Sequence, residues 1–340
     1  MAAIPLKPFV KPRGTLLLSS SQVRAALTLA DCIDAVEQGF AAHEEGRSLG
    51  PGALGIHAPG GGFHVKAAGL TMERPYFAAK TNANFPGNAQ AFGLPTIQGA
   101  VMLCDAECGF PLAVMDSMSI TAIRTAAATG VAARHLALPD ASILAIAGCG
   151  RQAADQIAAV AAVRPIGKIL AYDRDAEQAR RFAAEQSRWL GIAVEAVTDF
   201  PSAARSAGIV VTCTSSTTPL LGVGDVAPGT LIAAVGADNP EKSELAPALM
   251  AASSVIVDNL EQCAAFGDLH HAIDAGVMAA GDVRAELGAV VAGKKRGRKA
   301  ADETIIFDST GTALQDVAVA VLAYRNALAL GLGAMFDFAA

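Results

Sequence analysis

The sequence is poor in large aromatic side chains: phenylalanine, tyrosine and tryptophan make up 5% of 340 residues, and there is one tryptophan. Its core must therefore be aliphatic and small, and a hydrophobic content of 52% is ample for one. An excess of positive charge is also lacking. A net charge of −6 gives no electrostatic case for nucleic acid or an anionic membrane as partner. The one basic run, KKRGRK at 294–299, reads as a solvated loop. The six cysteines, at 32, 104, 108, 149, 213 and 263, form no CxxC pair. Neither a disulfide framework nor a zinc site is expected, and free thiols fit a reducing cytoplasm. The six histidines show no ligand spacing, so no metal is expected. No uncharged run reaches the roughly 18 apolar residues that span a bilayer. The start of the chain, MAAIPLKPFVKPRGTLLLSS, has three prolines and a brief apolar run, unlike a signal peptide. The apolar stretch VAVAVLAYRNALALGLGAMF is interrupted by Arg325 and Asn326 and reads as a buried helix.

What is present divides in two. A chain of this length allows roughly two domains. Residues 15–46 read as a short strand and one helix from about Ser21 to Glu45. GPGALGIHAPGGG is loop-like, with room for one strand. Strands are expected near 63–69, 76–83, 97–104 and 110–116, the last two joined by a turn at CDAECGFP. SITAIRTAAATGVAARHLA, at 119–137, is helical, with Ser119 or Thr121 as its cap. After Pro139 short aliphatic runs alternate with helices: SILAIAG, KILAYD, GIVVTCT, TLIAAVG and SVIVDN. Runs apolar on both faces mark a parallel sheet covered on both sides. The expected class is α/β: a doubly wound parallel-sheet (Rossmann) domain over 131–312, and an antiparallel α+β domain from 1–130 with 313–340.

The first aliphatic run opens into a nucleotide-binding pattern. Gly148, Gly150 and Ala153 occupy the G-x-G-x-x-A positions, between a strand and a helix. Gly148 permits the tight turn, and Gly150 lets the backbone approach a pyrophosphate. Ala153 allows close helix packing, and the helix start offers free N–H groups, with Arg151 and Gln152 in the loop. The next strand ends in Asp173, 25 residues after Gly148, placed to accept from the adenosine ribose hydroxyls. Asp173 favours NAD(H); Arg174 beside it keeps NADP(H) open. At the end of VVTCTSSTTP, Thr212, Thr214 and Ser215 stand either as cofactor ligands or as turn formers.

Read together in order, AAKTNANFPGN, GLPTIQGAVMLCDAECGFPLAVMD, ITAIRTAAATGVAARHLA, AIAGCGRQA, AVGADNPEKSEL and IIFDSTGTALQD resemble the ornithine cyclodeaminase/mu-crystallin family, over about residues 60–330. The resemblance implies a substrate and dimerisation domain, a Rossmann domain, a homodimer, and a final helix returning to the first domain. It implies chemistry on small amino and imino acids: ketimine reduction, cyclodeamination of ornithine or lysine, or oxidative deamination of alanine. Some members bind a ligand without turnover. By position, Lys80 resembles the family's active-site lysine and Arg124 its carboxylate-binding arginine. Thr96 matches a residue near the nicotinamide, and Asp238 the catalytic acid/base. Ser309 to Gly311 resemble the loop over the nicotinamide. The family's arginine before this hairpin is missing here, and Lys66 replaces a methionine.

The segment FHVKAAGLTMERPYFAAKTN sharpens the substitution. A hairpin with 71–75 as loop pairs Lys66 with Lys80, both on one face with His64 and Ala78. Like charges placed opposite one another repel unless an anion joins them. Lys66 is expected to replace the missing arginine and, with Arg124, to hold a substrate carboxylate; the alternative is that both lysines reach solvent. Lys80 and Asp238 remain rival proton donors for an imine nitrogen. A reductase of Δ1-pyrroline-2-carboxylate and Δ1-piperideine-2-carboxylate is the first expectation. A cyclodeaminase, with Glu73 serving the distal amine, comes second, and an alanine-type dehydrogenase third.

Overall fold

The computed structural model describes residues 12–338, so most of the proline-containing start lies outside the described residues. The chain divides into two compact units, one running to Arg124 and resuming at Thr312, the other Thr125–Gly311.

The first unit holds β1 (Thr15–Leu18), α1 (Ser20–Ala25), α2 (Leu29–Glu44), β2 (Ser48–Ala58), β3 (Gly61–Thr71), β4 (Pro75–Asn84), α3 (Asn88–Phe92), β5 (Ile97–Asp105) and β6 (Pro111–Asp116). Helix α4 (Ser117–Leu136) starts in this unit and continues into the second. The expected single helix at 21–45 is two helices. Thr28 breaks it by capping α2, its hydroxyl accepting from the Asp31 amide at 3.2 Å. The glycine-rich segment is a strand, β2, at the edge of the sheet, where its proline costs no internal ladder bond. The cap of α4 is neither Ser119 nor Thr121. Asp116 accepts from the Ser119 amide at 2.7 Å.

The second unit runs β7 (Ile143–Ala147), α5 (Ala153–Val163), β8 (Lys168–Tyr172), α6 (Ala176–Leu190), β9 (Ala193–Val197), α7 (Phe200–Ser206), β10 (Ile209–Thr212), β11 (Leu231–Ala234), α8 (Pro247–Ala251), β12 (Ser254–Val257), α9 (Leu260–Phe266), α10 (Asp268–Asp274), β13 (Ala285–Glu286), α11 (Leu287–Val291) and β14 (Ile305–Asp308). The chain then returns to the first unit as α12 (Ala313–Leu330) and β15 (Ala334–Phe336).

The second unit's sheet is parallel throughout, in the order β13-β12-β14-β11-β10-β7-β8-β9. The order reverses direction at β7, between β8 and β10, which makes the carboxyl ends there the ligand edge of a doubly wound fold. Strands β9, β13 and β14 were not expected; β14 is wholly buried, and so short that it carries no pattern of its own. The basic run is not simply solvated. Arg298 is half-buried and donates to the carbonyls of Leu136 and Gly229, at 2.9 Å each, and of Glu303.

The first unit's sheet has the order β15-β1-β6-β5-β4-β3-β2, and β2 to β6 are antiparallel. Its inner face carries Ala68, Leu70, Ala78, Val101 and Leu103, all nearly inaccessible. Helices α12 and α2 cover that face; α12 packs on β3 and β4. Helix α12 is long and apolar enough to cross a membrane, yet is largely buried in this layer.

Candidate active site

The β3–β4 hairpin closes as the sequence predicts, with Thr71 opposite Pro75 and Lys66 opposite Lys80. Alternation then aims both lysines at the face that α12 covers. Lys80 does not reach solvent: it is 4% exposed. Its Nζ lies 2.8 Å from both carboxylate oxygens of Asp316, on α12. Arg124, equally buried, brings Nε to 3.1 Å from Asp316 Oδ1. Its Nη1 donates to Gln315 Oε1 at 2.7 Å. Lys66 is half-buried beside them, and His64 stands at the exposed end of the same face, opposite Asn82.

Three cations here face one buried carboxylate. Burial drives the Lys80 ammonium down to about 7, and Arg124 and Lys66 push the same way while Asp316 opposes them. Asp316 is held below the ordinary carboxylate range by Lys80 and Arg124, against its burial. The arrangement sets two buried cations on one carboxylate, with a lysine poised between its two protonation states. A small anion would complete the balance.

The glycine loop in the second unit fits a dinucleotide. Gly148 has φ of +91°, and a Cβ there would meet the Cys213 carbonyl oxygen at 2.8 Å. Nothing lies within 4 Å of where a Gly150 Cβ would be, so the backbone is open to a close ligand. Ala153 is fully buried at the start of α5, directly after Arg151, which is exposed, and Gln152. Asp173 accepts from the Cys149 amide at 2.8 Å and the Asp175 amide at 3.0 Å, which fixes its carboxylate beside the loop. Arg174 is exposed. Gln178 ties the loop to α6 through the Cys149 carbonyl at 2.7 Å, at the rim of a cavity of about 380 Å³ lined also by Gly150, Arg151 and Arg181.

The remaining candidates are spread over the loops. The Thr212 and Thr214 hydroxyls donate to the buried Glu244 at 2.7 Å each; Ser215 is exposed. Asp238 is also exposed, and its Oδ1 takes Lys242 Nζ at 2.7 Å. The turn that follows is capped by Asn239, which accepts from Glu241 and Lys242, and not by Asp238. Asp258 accepts from Ser309 Oγ at 2.8 Å and from the Gly311 amide at 2.7 Å. Thr96, in the first unit, is exposed and receives the Phe85 amide on its carbonyl. Glu73 is engaged by Tyr76 and Arg325.

A model of the ornithine cyclodeaminase/mu-crystallin family matches residues 13–330. The chain belongs to this family. An archaeal alanine dehydrogenase dimer with bound NAD superposes with a TM-score of 0.90 at 36% identity, over 95% of this chain and 99% of the other. The Δ1-pyrroline-2-carboxylate reductase of Thermococcus litoralis, solved with NADH and L-proline, gives 0.90 at 34% identity, over 95% and 100%. The iminosuccinate reductase of Paracoccus denitrificans, with NAD⁺, gives 0.88 at 31%, over 96% and 100%.

For this family member, reading the sequence missed Asp316 and Gln315, the partners of the two buried cations. Both lie in IIFDSTGTALQD, in the first turn of a helix that stays apolar from Val317 to Ala323. A lone acid in such a helix was the available signal, since a charge is seldom buried without a partner. Glu244 was missed as well; on the sequence it is one of two glutamates in a polar loop.

Proposed function

We propose that the chain is an NAD(P)H-dependent reductase of cyclic ketimine carboxylates, turning Δ1-pyrroline-2-carboxylate and Δ1-piperideine-2-carboxylate into L-proline and L-pipecolate. At the coarser level it is an NAD(P)-dependent oxidoreductase of CH–NH or C=N bonds. The observation that carries the finer reading is the pair of buried cations, Lys80 and Arg124, on the Asp316 carboxylate, with half-buried Lys66 opposite Lys80. It suits a substrate with one anionic group and no second charge. The T. litoralis relative, solved with L-proline, supports the same substrate class.

The cofactor would lie on Gly148, Gly150 and Ala153, with Asp173 at its adenosine ribose; when bound, it supplies a hydride to the imine carbon. Arg124 and Lys66 grip the substrate carboxylate, Arg124 as a planar fork. The imine accepts hydride readily only when its nitrogen is protonated. Lys80 holds that proton: it is buried and its ammonium is brought down to about 7. Asp238, exposed and paired with Lys242, is the weaker candidate. Asp316 keeps Lys80 aimed and charged enough to give the proton up. The cyclodeaminase alternative needs an anion for a distal ammonium group, and Glu73 already serves Tyr76 and Arg325.

A cytoplasmic homodimer completes the proposal. The outer face of the first unit's sheet exposes Leu54, Ile56, Phe63 and Met102, an apolar face of the kind a second copy covers. The test is a panel of imino and amino acids with both cofactors. Stoichiometric NAD(P)H oxidation with Δ1-pyrroline-2-carboxylate, yielding L-proline, supports the reductase. Ammonia released from ornithine without net redox, or NADH formed from alanine alone, would replace it.

A further inference from the structure

The second unit buries a set of carboxylates that the proposed chemistry does not use. Glu244 is fully buried and accepts four hydrogen bonds. They come from Thr212 Oγ1 at 2.7 Å, the Thr214 amide at 2.6 Å, Thr214 Oγ1 at 2.7 Å and the Gly236 amide at 2.9 Å. These donors lie at the carboxyl ends of β10 and β11, two neighbouring strands of the ligand edge. A Cβ at Gly236 would overlap the Glu244 carboxylate, so the backbone has closed onto it.

Glu244 is itself fixed from behind. Its amide and that of Leu245 donate to Asp268 Oδ1 at 2.8 and 3.0 Å. The amides of Asp268 and Leu269 donate in turn to Asp308, at 3.3 and 2.9 Å. Asp308 ends β14, just ahead of the Ser309–Gly311 loop. Among the described residues, every hydrogen bond accepted by the side chains of Glu244, Asp268 and Asp308 comes from a backbone amide or a threonine hydroxyl. No cation bonds to any of the three. A core needing only bulk would use apolar side chains here; buried acids are kept where several donors need one acceptor.

We propose that Glu244, seated by Asp268 and Asp308, is a positioning residue: it sets the backbone after β10 and β11 in the shape that receives the nicotinamide half of the dinucleotide. This rests on the dinucleotide reading of the same sheet edge. Glu244 touches no reacting atom. It acts through the backbone of residues 212–214 and 236, which must stay close enough together to cradle a ligand.

The test is NADH binding by fluorescence titration, which needs no turnover, with kcat and KM measured beside it. Glu244→Gln puts two donor hydrogens where donors already converge. It is expected to raise the Kd for NADH at least tenfold, with the imine KM at saturating NADH changed less than twofold. Thr214→Val keeps the shape and removes one donor. It is expected to raise the Kd threefold or more, and it stands as the readout should Glu244→Gln fail to fold. An unchanged Kd in a folded Glu244→Gln or Thr214→Val protein, or a change confined to the imine KM, overturns the positioning role. Wild-type protein that binds no NADH overturns the dinucleotide reading, and the inference with it.

Discussion

The two units bury charge of opposite sign, and each does so with a different kind of partner. In the first unit Lys66, Lys80 and Arg124 share one carboxylate, that of Asp316. In the second, Glu244, Asp268 and Asp308 share no cation among the described residues and are held by amides and hydroxyls. The same desolvation acts on both: it lowers Lys80 to about 7 and raises Asp268 to about 7. The consequences differ. The cation cluster is the proposed receptor for an outside anion. Acids surrounded by donors organise backbone.

Removing the cation from the first cluster is the most severe test of this contrast. Lys80→Met deletes the proposed acid and should cut kcat by roughly 10³-fold, within the range for general acids, while NADH still binds. Loss of NADH binding together with kcat would point to collapse of the cluster. Removing the anion comes next. Asp316→Asn leaves Lys80 and Arg124 buried without a counter-charge, which should cost about 3–5 kcal/mol of stability, read by urea denaturation. Asp316 raises the Lys80 value, so its loss should also move the alkaline fall of kcat/KM to lower pH. In the wild type that fall is expected as pH rises through about 7, where Lys80 loses its proton.

The half-buried member should matter less. Lys66→Met is expected to raise the KM for the imine about tenfold and to spare kcat, since it removes ground-state and transition-state binding together. An unchanged KM would reject the exchange of arginine for lysine. The smallest effect belongs to the second unit. Asp268 is raised from near 3.8 to about 7 by burial and by Glu244. A raised value stabilises the fold fully below the unfolded value and ceases to as pH climbs through the folded one. Wild-type Tm should therefore drop relative to Asp268→Asn between about pH 4 and 7, with the curves closing at acid pH. Parallel curves would mean that Asp268 keeps no proton.

Local patterns were legible in the sequence, and partnerships across long stretches of chain were not. The hairpin register followed from a two-residue period and a turn at 71–75, so Lys66 opposite Lys80 could be foreseen. The glycine loop and Asp173 followed from spacing. Asp316 lies 236 residues from Lys80, and no local rule links them. Strand β2 was only half legible, as a loop-like segment with room for one strand, because an edge strand tolerates the glycine and proline that elsewhere signal a loop. That Thr212 and Thr214 share Glu244 as acceptor, 32 and 30 residues along the chain, had no local signal.

The central claim is that the buried cations of the first unit receive a substrate carboxylate. Calorimetric titration of the NADH-loaded protein with pyrrole-2-carboxylate, set against pyrrole-2-carboxamide, tests it most directly. The acid should bind at least a hundredfold more tightly than the amide, and Arg124→Met should abolish that preference. Equal affinity for acid and amide, or a preference that survives Arg124→Met, would contradict it.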